Sequence, residues 1–211
     1  MDDSDYIIQM HHIRQRHDWD CGIASSKMAL RIWTIDLSYL FQKYDVRSTF
    51  FTTTLGADPN YNTMNYYNDQ FEADKIRINK LFKLAPSHGI QIIKRTVSID
   101  EIIDHIAKNN VAIVLINAYI VRCLDRSDIK AKMKKKMFST ISDKILSLRI
   151  FSNKFLGHFV VVCGFNRREK IIYYKDPGSD CDICAALLAN FDAARHSYGT
   201  DDDILFIYKD N

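Results

Sequence analysis

One cysteine of the chain stands in a setting suited to nucleophilic chemistry. Cys21 follows Gln15-Arg16-His17-Asp18-Trp19-Asp20 and precedes Gly22 and a helix-forming run. A thiol at a helix start lies in an electropositive field that favours thiolate. A glutamine six residues earlier can donate to an oxyanion developing beside it. Such a nucleophile needs a base and a group to orient that base, and both occur downstream. Gly157-His158-Phe159-Val160-Val161-Val162 opens a strand with a histidine, and Tyr173-Tyr174-Lys175-Asp176-Pro177-Gly178 closes the next with an aspartate. Antiparallel strands joined by a short hairpin bring the start of one against the end of the other. Asp176 is then placed to accept from one imidazole nitrogen while the other nitrogen faces the thiol. The expected roles are Cys21 as nucleophile, His158 as base and then acid, and Asp176 as orienting carboxylate. Gln15 and the Cys21 backbone N–H are the expected oxyanion donors.

These roles require a helix under Cys21 and paired strands under His158 and Asp176. Cys21 to about Arg31 reads as a helix, with Ala24 and Met28 on one face. Residues 6–13 read as extended. A second helix is predicted from about Ile35 to Tyr44, capped by Thr34, and a strand from Val46 to Thr53. Gly56 to Asp69 reads as a polar loop. Glu72 to Leu84 is predicted helical and is ended by Pro86 and Gly89. A strand from Ile90 to Val97 leads into Ser98, whose spacing to Glu101 is that of a capping box for a helix reaching about Lys108. Asn109-Asn110 then turns into the strand Val111–Asn117. Strands follow at His158–Phe165, Ile171–Lys175 and Ile204–Tyr208, the first two joined by a turn at Asn166–Glu169. Helices first and sheet later is an α+β pattern. The whole chain, residues 1–211, reads as one domain with a basic insertion at 122–154.

Bulk properties narrow the function classes. The chain has 211 residues, 47% apolar and 26% charged, which suits an ordinary globular protein with one sizeable core. A net charge of +3 gives no polyanion preference. Residues 122–154 hold ten Lys or Arg against three Asp. This segment enters after one strand and returns at His158, so it is expected near the site. There it would be a solvated insert, a lid, or a recognition surface for an acidic peptide or protein substrate. Aromatic residues do not interleave with its lysines, so nucleic acid is not an expected partner. Five cysteines without a framework point to reduced thiols and hence to a cytoplasmic, or nuclear, protein. The acidic start Met1-Asp2-Asp3-Ser4-Asp5 does not read as a secretory signal, and the run Val111–Ile116 is too short to span a membrane. Cys181 and Cys184 have the spacing of half a zinc site, or of a redox pair. With Cys123 and Cys163 isolated in sequence, the pair reads as structural. Asp201-Asp202-Asp203 reads as a flank to the last strand.

Asp20-Cys21-Gly22, Gly157-His158 and Asp176-Pro177 resemble the pattern of the C39-type branch of the papain-like thiol peptidases. Over nearly the whole chain the sequence also resembles the guanylyl cyclase domain-containing protein 1 family. The resemblance runs through Trp19-Asp20-Cys21-Gly22, Ile32-Trp33-Thr34-Ile35-Asp36-Leu37, Thr54-Leu55-Gly56, Val111–Leu115, Gly157-His158-Phe159 and Ser197-Tyr198-Gly199-Thr200-Asp201. The first resemblance implies a papain-like fold with the Cys-bearing helix packed on an antiparallel sheet. The family name implies conversion of GTP to cyclic GMP, with magnesium or manganese. Cyclase chemistry of the usual kind needs paired carboxylates for metals and a positive cradle for triphosphate, and no glycine-rich phosphate loop occurs. The expectation is therefore a cysteine hydrolase of peptide, isopeptide or other amide bonds, without a cofactor. Two alternatives stand beside it: a guanylyl cyclase, and a catalytically silent binding module. The second rests on a short connection. Relatives carry a further helix and loop where Leu30-Arg31 here runs straight into Ile32-Trp33, which bears on how the Cys21 helix docks.

Overall fold

Among the described residues, eight strands join in one sheet. They are β1 (Tyr6–Ile7), β2 (Ser48–Thr52), β3 (Gln91–Lys94), β4 (Val111–Asn117), β5 (Gly157–Asn166), β6 (Ile171–Lys175), β7 (Cys184–Leu187) and β8 (Ile204–Ile207). A computed structural model describes residues 6–7, 32–64, 71–124 and 155–209. Gln15, Trp19, Cys21, the helix expected at Cys21–Arg31, the Arg31 junction and residues 125–154 of the basic segment lie outside the described residues.

The strand order is β3-β2-β8-β4-β5-β6-β7, with β1 beside the far end of β5. Every pairing is antiparallel except β2 with β3, which is parallel. The sheet is therefore mixed, which corrects the expectation of an antiparallel one. The physical reason is the connection: a crossover containing a 14-residue helix separates β2 from β3, long enough to bring the chain back in the same direction. The fold is α+β, but helices and strands alternate more than expected. Helices α1 (Thr34–Lys43), α2 (Phe71–Leu84), α3 (Ile99–Ala107) and α4 (Leu188–Arg195) are spread along the described chain. Strand β7 and helix α4 were not anticipated, and a 3-10 turn at Pro59–Thr63 interrupts the expected polar loop.

The helices cover the two faces of the sheet. On one face Ile35 and Leu37 of α1 and Ile78 of α2 pack with Phe50 and Leu205. On the other, Ile102 and Ile106 of α3 and Phe191 and Ala194 of α4 pack with Val114, Ile116, Val160 and Val162. Burial of this apolar surface is the main source of stability. Local signals set the helix starts. At α3 the Ser98 Oγ accepts the Glu101 N–H at 3.2 Å, and the Glu101 carboxylate accepts the Ser98 N–H at 2.9 Å, a reciprocal capping box. Arg95 donates to the same carboxylate at 2.7 Å, and this bond, with that from Ser98, holds the Glu101 pKa down to about 2. At α1 the cap lies one residue earlier than expected. Trp33 occupies it, and its N–H is taken by the Asp36 carboxylate at 2.8 Å, a stronger acceptor than a threonine hydroxyl. Among the described residues, no helix is long and apolar enough to cross a membrane.

The acidic triplet flanks β8, as expected. Asp201 and Asp202 adopt left-handed φ angles of 52° and 53°, and the Asp201 carbonyl accepts the Thr53 N–H at 2.8 Å. Asp203 is buried, and desolvation, with Asp201 adding to it, holds its carboxyl well above the ordinary value of 3.8. A folded-state value above the unfolded one gives stability that is full below the unfolded value and is lost as pH rises through the folded one. Asp203→Asn removes that loss. Urea unfolding is expected to find the variant more stable than the parent at pH 8 by about 1 kcal/mol or more, and to find the gain shrinking as pH falls to 4. A gain of the same size at both pH values would mean that Asp203 is not the titrating group.

Candidate active site

His158 is the second residue of β5 and sits opposite Ile116 of β4. Asp176 follows Lys175, the last residue of β6, which sits opposite Val161. Continuing that register by one residue sets Asp176 opposite Val160. His158 and Val160 share a face, so the two polar side chains are diagonal neighbours across the strand pair. Imidazole and carboxylate span that diagonal, and His158 Nε2 lies 2.7 Å from Asp176 Oδ1. Both side chains are partly exposed, at 28% and 20%. The site is thus open enough for a substrate and shielded enough to keep the pair from being fully screened.

A β-bulge makes this convergence possible. Val162 pairs with Tyr174, but Gly164 pairs with Tyr173, so Cys163 is an extra residue in β5. Without it the register would slip by one, and Asp176 would oppose Val161 on the other face from His158. Every strand slip of one residue exchanges faces. The plain hairpin expected from the sequence would therefore have separated the pair. Cys163 is fully buried, which pushes its thiol up to about 11, and it acts as a core residue.

The loop after β6 fixes the carboxylate. Gly178 donates its N–H to Asp176 Oδ1 at 2.8 Å, and the Asp176 carbonyl accepts the Ser179 N–H at 3.1 Å. A Cβ at Gly178 would lie 3.4 Å from Asp176 Oδ1 and 3.6 Å from His158 Cε1, in ordinary contact with the pair. Lys175, itself buried, reaches along the loop to Asp182 at 2.7 Å. On the β4 side, the buried Asn117 Oδ1 accepts the Tyr119 N–H at 3.1 Å and the Leu156 N–H at 3.3 Å, closing the entrance to β5. Nothing in the sequence marked Asn117, Gly178 or Lys175 for these tasks: the Gly178 and Lys175 bonds are local, and only Asn117 reaches far along the chain, to Leu156.

The structure therefore brings together two of the four expected site residues, His158 and Asp176. The other two, Cys21 and Gln15, lie outside the described residues, as does all but 122–124 of the basic segment. Cys181 is exposed and Cys184 buried, and Cys184 neighbours Cys123, which is not isolated. Among the described residues no group of three or more His, Cys, Asp or Glu is arranged to hold a metal ion.

An imidazole hydrogen-bonded to a carboxylate at the end of a strand pair is an arrangement able to transfer protons. Residues 30–207 match the family described as "Guanylylate cyclase", and the chain belongs to that family. It is similar to the Arabidopsis thaliana protein named "Guanylyl cyclase 1", with 33% identity over 223 residues, covering 95% of this chain and 76% of that protein. The family match begins beyond Cys21 and takes in His158 and Asp176, whereas the plant relative's span takes in all four residues. Among solved structures, the chain is similar to a putative C39-like peptidase from Bacillus anthracis at 17% identity, covering 63% of this chain and 59% of that one, with a TM-score of 0.34.

Proposed function

We propose that the chain is a cysteine hydrolase that acts by acyl transfer on an amide bond of a peptide or protein. Cys21 is the nucleophile, His158 its base and then its acid, Asp176 the group that orients His158, and Gln15 an oxyanion donor. The observation that supports this reading is the 2.7 Å bond between His158 Nε2 and Asp176 Oδ1. With Nε2 protonated and donating to the carboxylate, Nδ1 is the nitrogen left to take the thiol proton, and the imidazolium formed is stabilised by Asp176. The thiolate then attacks the carbonyl, the imidazolium protonates the departing amine, and water releases the acyl group. The reading carries with it a papain-like docking of the Cys21 helix against the sheet, an acidic substrate matched to segment 122–154, and a reducing cytoplasmic or nuclear setting.

A thiol-directed electrophile tests it. Labelling is expected at Cys21, abolished in Cys21→Ala and retained in Cys163→Ala. Equal labelling of the two variants would overturn the reading.

Guanylyl cyclase activity is the second reading, favoured by the family and by the name of the plant relative. The described carboxylates do not fit a metal-dependent cyclase site. Asp201 Oδ1 is held by Thr54 and Tyr61, each at 2.7 Å, Asp202 pairs with His196 at 2.8 Å, and Asp203 is buried. Cyclic GMP formed from GTP with magnesium or manganese, and surviving Cys21→Ala, would replace the hydrolase reading with this one. If neither activity is found, the chain is a silent binding module.

A further inference from the structure

We propose that Cys123 and Cys184 form a reversible disulfide, a redox modification site distinct from His158 and Asp176 and independent of the hydrolase reading. The two thiols are 61 residues apart in sequence but side by side in the fold. The Cys123 thiol is a hydrogen-bonding neighbour of both the Cys184 thiol and the Tyr174 hydroxyl. Backbone bonds fix this approach. The Leu124 N–H donates to the Ala185 carbonyl at 2.7 Å, so residues 123–124 run along the outer edge of β7. Asn190 of α4 clamps the preceding residues. It accepts the Arg122 N–H at 2.8 Å and donates to the Ile120 carbonyl at 2.9 Å. The Leu124–Ala185 bond joins the residues that follow the two cysteines and so sets Cys123 and Cys184 on neighbouring segments; a disulfide spans Cα separations of about 4.4–6.8 Å.

The order of reaction follows from access. Cys123 is exposed, whereas Cys184 is 1% exposed and its thiol is pushed up to about 12 by burial. With glutathione disulfide as oxidant, the Cys123 thiolate attacks one sulfur and releases one glutathione thiolate, leaving a mixed disulfide. The Cys184 thiolate then attacks the Cys123 sulfur and releases the second. Two electrons pass to glutathione, and the two thiol protons end on the two glutathione molecules. The product closes the strand edge next to the Asp176 loop. Ser179 links the two regions: its hydroxyl bonds the Cys184 thiol, and its N–H donates to the Asp176 carbonyl at 3.1 Å.

Peptide mapping without reductant tests the proposal on the full chain after exposure to glutathione disulfide. The expected product joins the Cys123 and Cys184 peptides, is lighter by two hydrogens, and returns to two thiols with dithiothreitol. Closure is expected to speed up with pH, since Cys184 must ionise. Cys181→Ser is expected to leave the link intact, and Cys123→Ser to abolish it. A Cys181–Cys184 link would overturn the proposal, as would separate glutathione adducts that never close. Mapping of the unaltered chain gives this answer without any variant having to fold.

Discussion

His158→Ala is expected to slow labelling of Cys21 and any turnover by about 10²–10⁴-fold, the usual contribution of a positioned acid–base group. The loss comes from two sources. On the hydrolase reading proposed above, the imidazole takes the thiol proton, and the imidazolium so formed stabilises the thiolate. Asp176→Asn tests the second layer. Asparagine can still accept from Nε2, so the ring keeps its place, but the charge that stabilises the imidazolium is gone. Its effect is expected to be smaller than that of His158→Ala. Hydrogen exchange or urea unfolding of both variants separates chemistry from folding. Labelling rates within threefold of the parent in both would remove His158 and Asp176 from the reaction.

Much of the frame around this site could be read before the structure. Strand β4 and strand β6 lie where apolar runs and flanking turns placed them, and α3 begins at the Ser98 and Glu101 capping box. Those signals are local: a cap, a turn at Asn109, a run of β-branched residues. What escaped was non-local. Cys184-Ala185-Ala186-Leu187 is four residues, three of them with small side chains, and it becomes a strand because β6 and Leu124 offer it hydrogen bonds on both edges. Parallel pairing of β2 with β3 is decided by a crossover, which no local pattern encodes. The bulge at Cys163 is hidden because Val160-Val161-Val162-Cys163 is apolar throughout, so no alternation marks where the register shifts. The His158–Asp176 encounter was thus foreseen for a reason that was only half sufficient. Strand polarity brought the two ends close, and the bulge turned them to the same face.

Arg195 provides the largest expected effect on stability. Its side chain is 2% exposed, and it links α4 to the segment that starts α3. Nη2 donates to the Val97 carbonyl at 2.6 Å, and Nε donates to Asp192 Oδ1 at 2.8 Å. Val97 is itself fully buried and precedes the Ser98 cap, so loss of this bond strands a carbonyl in the core. Arg195→Ala also opens a cavity between α4 and the sheet. Removing one member of a buried ion pair costs about 3–5 kcal/mol, but Asp192 is 36% exposed and water can reach it, which puts the cost near the lower end. About 3 kcal/mol is expected, seen in urea unfolding as a lower midpoint at constant slope. Arg195→Met separates volume from charge. It refills the space and discards Nη1, which has no hydrogen-bond partner among the described residues, while still losing the bond to Val97. Methionine is expected to recover roughly half of the alanine loss. If alanine costs less than about 1 kcal/mol, Arg195 is a tolerated buried cation and the packing of α4 alone holds this corner of the fold.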